Sequence, residues 1–336
     1  MAKLFFSFVI PVFNRPDEVE ELLNSLSLQE FDGPFEIVLV EDGSAESAKR
    51  VVESFKDKLQ ISYYFKENTG PGHSRNYGME RAQGNYYIIL DSDCIIPPQY
   101  LAEVEKELNG NFVHCYGGPD AAHESFSDLQ KAINYAMTSF FTTGGIRGGK
   151  KAVNKFQPRS FNLGMSKEAF EATNGFGNIH PGEDPDLTFR IWNEGYKTRL
   201  FPKAFVYHKR RIDWKKFYRQ VNKFGSVRPI LNKWHPSSKK ITYWFPSVFS
   251  IGFLLSIIMI FFGYPQLTLC YAAYFVLLFF DSLIKNKSLK IAFLSLRAVC
   301  IQFMGYGIGF FKSTILLNFN SKSAEELFPE LFFSKK

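Results

Sequence analysis

Cysteine is scarce, four residues in 336, and Cys94, Cys115, Cys270 and Cys300 include no Cys-x-x-Cys pair. Such isolated thiols offer no disulfide framework and read as reduced and structural. A secretory leader is lacking as well. The apolar run Leu4 to Val12 is short and is broken at once by Pro11, Asn14 and Pro16, so the N-terminal domain is expected to stay in the cytoplasm. Motifs of nucleic-acid-binding modules are missing too, which removes nucleic acid from the expected partners. Acids are nearly absent from residues 199–240, where thirteen Lys or Arg face Asp213 alone. This block carries +12 in a chain whose formal charge is +7, so the rest is net acidic. A basic block followed by apolar spans points to an anionic membrane surface or a phosphate-bearing substrate.

What is abundant is aromatic: 37 Phe and 16 Tyr, with apolar residues crowded into the last third. Trp244 to Phe262 and Leu267 to Ile284 are each near the roughly 20 residues needed to cross a bilayer. Between them lies the polar break Gly263 to Gln266. A third stretch, Ile291 to Phe311, is long enough but holds Arg297 and Gln302. It either crosses, which puts Ser334 outside, or lies in the interface; length favours three crossings. Lys285, Lys287 and Lys290 then fall on the cytoplasmic side with the basic block, as the positive-inside rule asks.

The first two thirds repeat one unit. Apolar strand-type runs at residues 4–13, 35–40, 61–65 and 86–90 each precede a helix signal, the later ones near Ala45, Pro71 and Pro98. Repeated βα units predict an α/β fold with a doubly wound, mostly parallel sheet whose ligands bind at the carboxyl ends of the strands. Those ends carry Pro11-Val12-Phe13-Asn14, Glu41-Asp42-Gly43-Ser44 and Asp91-Ser92-Asp93. Asp42 suits either a uracil imide or a helix cap. Asp91 and Asp93 offer two hard oxygens suited to Mg²⁺ or Mn²⁺ on substrate phosphates, though Asp-x-Asp alone also occurs in surface turns. The loop Asn68-Thr69-Gly70-Pro71-Gly72-His73-Ser74-Arg75 opens a helix with glycines and an arginine, an anion-attracting arrangement. Further on, Gly182-Glu183-Asp184 precedes a helix expected over 185–194, where carboxylates are stabilised and serve as caps or as a base.

Taken in order with Ser74-Arg75-Asn76-x-Gly78 and Asp184-x-Asp186-Leu187, these segments resemble glycosyltransferase family 2, of the GT-A fold, over residues 4 to 210. The resemblance implies that Pro11, Val12, Asn14, Asp42 and Arg75 line the nucleotide site and that Asp91 contacts donor sugar or ribose. It further implies that Asp93 holds a divalent metal, Mn²⁺ or Mg²⁺, and that Asp184 is the base, with Glu183 orienting it or the acceptor. His208 resembles the histidine that completes the metal site in many relatives; a packed or phosphate-facing role is equally open. Asn162-Leu163-Gly164-Met165 resembles the border of the acceptor site. The Gly-rich basic stretch from Thr142 to Pro158, with Arg147, Lys150 and Lys151, reads as a mobile lid. From Asp213 to Arg228, aromatic residues at helical spacing alternate with basic ones, as in an amphipathic helix lying on a membrane. The Gln-x-x-Arg-Trp motif of the family's processive synthases is lacking.

The expected organisation is a catalytic domain at 1–210, a basic juxtamembrane segment at 211–240 and a membrane region at 241–336. The expected activity is inverting transfer from a nucleotide sugar, a UDP sugar foremost, to a lipid-linked or glycan acceptor at the inner membrane. A polyprenyl-phosphate sugar transferase and a non-catalytic membrane scaffold are the alternatives, and the intact carboxylates at 91, 93 and 184 speak against the scaffold.

Overall fold

The computed structural model describes residues 3–121, 126–144, 156–208 and 213–333. In chain order the elements are β1 (Phe6–Val12), α1 (Pro16–Ser27), β2 (Phe35–Asp42), α2 (Lys49–Phe55), β3 (Ile61–Lys66), α3 (Pro71–Arg81), β4 (Tyr86–Leu90), β5 (Cys94–Ile95), α4 (Tyr100–Gly110), β6 (Cys115–Gly117) and β7 (Asp120–Ala121). There follow α5 (Asp128–Thr138), α6 (Phe140–Thr143), β8 (Asn162–Ser166), α7 (Lys167–Thr173), α8 (Glu183–Asn193), β9 (Thr198–Leu200) and β10 (Val206–His208). The chain ends in α9 (Trp214–Trp234), α10 (Phe245–Phe261), α11 (Gln266–Asn286), α12 (Leu289–Phe319) and α13 (Ala324–Leu327). It divides into two compact units, residues 1–123 with 150–209 and 332–336, and residues 124–149 with 210–331.

The first unit is built on a seven-stranded sheet in the order β3-β2-β1-β4-β8-β6-β9. β1 to β4 pair in parallel, and β8 runs antiparallel between β4 and β6. β1, β2 and β4 are largely apolar because both faces are covered, and the buried Ser7 hydroxyl donates to Glu36 at 2.7 Å. Phe6, Phe8, Ile10 and Val12 of β1 point into one core with α1 and α4, and Val9 into a second with Met79 and Leu187. The crossing from β1 outward to β2 and β3, and back to β4, opens a crevice at the strand ends, where such sheets bind ligands. A small sheet β5-β10-β7 lies beyond β4, and its register sets His208 opposite Cys94.

The second unit is helical. α9 and α12 run side by side in the same direction. Arg297 stacks on Trp214 at 4.7 Å, Asn222 donates to the Gly305 carbonyl at 3.0 Å, and Lys233 donates to the Leu317 carbonyl. Gly225 and Gly309 allow the close approach. α10 and α11 form an antiparallel hairpin: Tyr271 donates to the Phe249 carbonyl at 2.9 Å and Thr268 to that of Ser256 at 2.8 Å. Among the described residues three helices are long and apolar enough to cross a membrane, and they differ in exposure. α10 and α11 are mostly exposed, whereas α12 is buried over nearly half of its apolar stretch.

Candidate active site

The side expected to take the donor is built by the loops after β1, β2 and β3. Gly43 has a φ of +74°, and the Asn68 backbone occupies the space its Cβ would need, so only glycine fits this turn. Asn14 staples it to β1: its side-chain oxygen accepts from Ala45 N–H at 2.7 Å and Glu46 N–H at 3.1 Å, while its own N–H donates to Ser44 Oγ at 2.8 Å. Asp42 is 4% exposed. Its carboxylate accepts from Thr69 N–H at 3.0 Å, Gly70 N–H at 2.9 Å and the Lys66 ammonium. Both oxygens thus organise the loop. Pro11 and Val12 sit at the end of β1, paired with Val40 and Glu41, and Val12 is core.

Arg75, in the first turns of α3 and 3% exposed, is the hub of the centre. It reaches Asp91 Oδ1 at 2.8 Å and Glu183 Oε1 at 3.4 Å and lies over the Phe176 ring at 5.2 Å. Burial lowers its pKa, yet Asp91, Glu183 and Asp184 outweigh burial and raise it. Expected from the sequence to bind the nucleotide, Arg75 is here the tie between the β4 end and α8. Asp93 lies at the same strand end with Arg15 Nη1 at 3.9 Å, and His208 is aligned with Cys94 next to it by backbone register. Among the described residues no three His, Cys, Asp or Glu side chains converge as a closed metal cluster. Two carboxylates of hard oxygen at one strand end fit a cation that takes its remaining ligands from substrate phosphates and water.

On the other wall, Glu183 and Asp184 lie in the first turn of α8, two residues earlier than the helix start expected from sequence. Their environments differ. Glu183 accepts from Arg75 and sits 2.9 Å from His180 Nδ1; burial alone would raise its pKa, but His180 and Arg75 hold it below the usual carboxylate range. Asp184 is pushed up to about 6, first by burial and then by the charge of Glu183, against the pull of Arg75, Arg159 and a hydrogen bond from Ser160. Its Oδ1 is buried with no hydrogen-bond partner among the described residues. Two adjacent carboxylates are thereby set apart, one fixed as a charge and one poised to take up a proton.

Asn162, expected at the acceptor border, is fully buried. It accepts from Tyr100 OH at 2.6 Å and donates to the Ala204 carbonyl at 2.8 Å, so its amide is spent inside the fold. Arg147 and the centre of the expected lid lie outside the described residues. Sequence reasoning missed Lys66 on Asp42, Arg15 beside Asp93, His180 on Glu183, and Arg159 and Ser160 on Asp184. None carries a motif signal of its own; the last three meet α8 only through loop packing.

Residues 7–172 match the family model for glycosyl transferase family 2. The chain is 35% identical over 101 residues to the poly(ribitol-phosphate) β-N-acetylglucosaminyltransferase TarS of Staphylococcus aureus, covering 29% of this chain and 18% of TarS. It is 31% identical over 120 residues to the GalNAc(5)-diNAcBac-PP-undecaprenol β-1,3-glucosyltransferase of Campylobacter jejuni, covering 35% of this chain and 38% of that enzyme. The chain therefore spans well under two thirds of the length of these curated relatives. Among solved structures, the mannosyltransferase PcManGT of Pyrobaculum calidifontis with GDP-Man and Mn²⁺ superposes with a TM-score of 0.59 at 16% identity, covering 92% of this chain and 86% of that one. TarS residues 1–349 with UDP-GlcNAc give 0.51 at 17% identity, covering 92% and 91%. At such identities the likeness speaks for the fold alone, a GT-A sheet; it is the sequence match over residues 7–172 that places this chain in glycosyl transferase family 2.

Proposed function

We propose that this chain transfers a sugar with inversion from a nucleotide diphosphate donor, a UDP sugar foremost, to a hydroxyl of a lipid-linked or glycan acceptor at the cytoplasmic face of a membrane. The observation that carries this reading is Asp184: a carboxylate at a helix N-terminus, raised to about 6, with one buried oxygen that has no partner among the described residues. Such a group accepts a proton near neutral pH. In the reaction the acceptor oxygen attacks C1 of the donor sugar while Asp184 takes the hydroxyl proton. The bond from C1 to the diphosphate oxygen breaks, and the nucleotide leaves with the electron pair. A single displacement inverts C1. A divalent cation at Asp91 and Asp93 would offset the charge that develops on the diphosphate. Glu183 stays ionised and holds Arg75.

The UDP and lipid-linked parts rest on TarS with UDP-GlcNAc and on the undecaprenol-linked glycan in the name of the Campylobacter relative. The discriminating experiment is a transfer assay with UDP and GDP sugars, Mn²⁺ and a polyprenyl-diphosphate-linked acceptor, with the product anomer read by NMR. Retention of configuration, or no turnover with any donor, would reject the reading.

At the membrane, we favour two crossings over the three that length suggests. α9 bears Lys215, Lys216, Arg219, Lys223, Arg228 and Lys233 and accompanies α12 over some 20 residues. Carrying that pair through the bilayer would place several cations in hydrocarbon, each at a cost of about 2.5–3.5 kcal/mol. The hairpin α10–α11 has no such companion, and Phe332 and Phe333, beyond α12, belong to the catalytic unit, which requires an even number of crossings. α12 then lies in the interface, with Phe293, Ile308, Phe311, Ile315 and Phe319 along one exposed face.

A further inference from the structure

The loop leading into α8 is gripped at both ends. At its start, Asn76 makes a paired contact with Phe176, accepting from the Phe176 N–H at 2.8 Å and donating to its carbonyl at 2.9 Å. At its far end the grip comes from residues more than 150 positions away. Ile179 forms an antiparallel bridge with Phe332, and Phe333 N–H donates to the Asn178 carbonyl at 3.0 Å. The Phe333 ring lies 5.7 Å from the His180 ring and fills the space where a Cβ of Gly70 would be. Both neighbours belong to the site. Gly70 N–H donates to Asp42, and His180 is the partner that helps keep Glu183 ionised.

We propose that Phe332 and Phe333 form a clip that positions the reacting groups: the backbone pairing fixes the loop 176–182, and the Phe333 ring joins the donor turn at Gly70 to the base-bearing wall at His180. This deepens the reading of Asp184 as base and rests on it. The clip touches no reacting atom in this arrangement. Its effect runs from Phe333 to His180, from His180 to Glu183, and from Glu183 to Arg75 and Asp91. Anchoring at two ends leaves the segment before Asp184 little freedom, which matters because misplacement by about 1 Å costs on the order of 10²-fold in rate.

The test compares the full-length wild type with Phe333→Ala, Phe333→Leu and a chain lacking residues 332–336. Amide hydrogen exchange is followed in 176–182, UDP binding is measured with Mn²⁺, and turnover is measured on a panel of UDP sugars. Expected are faster exchange in 178–182, a kcat lower by about tenfold or more, a change in UDP affinity of less than about threefold, and partial recovery in Phe333→Leu. Unchanged exchange, or faster exchange with unchanged kcat, would overturn the proposal. An equal fall of melting temperature, UDP affinity and kcat in all variants, with no recovery in Phe333→Leu, would also overturn it, since that is the signature of a fold contact only. If the wild type fails to bind UDP while exchange in the variants still rises, the nucleotide assignment falls and the clip stands.

Discussion

The two walls of the catalytic crevice follow opposite rules. On the wall expected to take the donor, two carbonyl-type side chains are spent before any ligand arrives: Asp42 on Thr69, Gly70 and Lys66, and Asn14 on Ala45 and Glu46. On the α8 wall Glu183 is held by Arg75 and His180, while its neighbour Asp184 keeps a buried oxygen with no partner among the described residues. Because buried polar atoms without partners are costly, the oxygen of Asp184 is the one the proposed reading assigns to proton transfer. On that reading the first wall is a preformed mould and the second holds the reagent.

That contrast breaks first at Asp184. Asp184→Asn keeps the shape and removes the proton acceptor, so kcat is expected to fall by about 10²–10⁴-fold while UDP affinity with Mn²⁺ stays near the wild type. A variant that retains most of its turnover would move the base to another group. Arg75→Ala attacks the tie between the walls instead. It leaves Asp91 and Glu183 without their buried partner, and a loss of about 3–5 kcal/mol in unfolding free energy is expected from denaturant titration. A loss below about 1 kcal/mol would show that these charges are better solvated than their burial suggests.

Smaller effects sharpen the comparison. Asn162→Ala removes the bonds to Tyr100 and Ala204 and is expected to cost about 1–3 kcal/mol of stability with little change in acceptor KM; a large KM effect would restore an acceptor role. Since the Asp184 pKa is raised to about 6, the base is protonated below that value. The pH profile of kcat should be flat above about 6.5 and fall by about tenfold per unit well below 6. A profile still falling only near pH 4 would mean an unperturbed carboxylate. The least drastic test concerns the membrane helices. With the native cysteines removed, a cysteine at Gln266 should react with an impermeant reagent on intact cells and one at Ser334 should not. Reaction at both would reinstate α12 as a third crossing.

Much of this was legible in the sequence for reasons of local physics. An apolar strand, a turn that demands glycine and a helix start are short-range patterns, so β1 to β4, the Gly43 turn and the opening of α3 could be read from spacing alone. α8 was read as well, though its start moved from Pro185 to Glu183, which put both carboxylates in the first turn. Less legible were contacts whose partners are distant. His180, Arg159 and Ser160 lie in loops without periodicity, and Asn162 matches a segment of the acceptor border yet is turned inward by the Tyr100 and Ala204 contacts.

By itself, then, the sequence determined the βα order, the carboxylates at the strand ends, the basic block and the lengths of the apolar helices, because each is a property of neighbours along the chain. Tertiary structure alone decided which carboxylate is held ionised and which is left poised, because a pKa depends on burial and on charges brought near from elsewhere. It decided also that a helix long enough to cross a membrane is laid against a basic one, and that Phe332 and Phe333 come back to the catalytic unit, since packing between segments far apart in the chain leaves no local pattern to read.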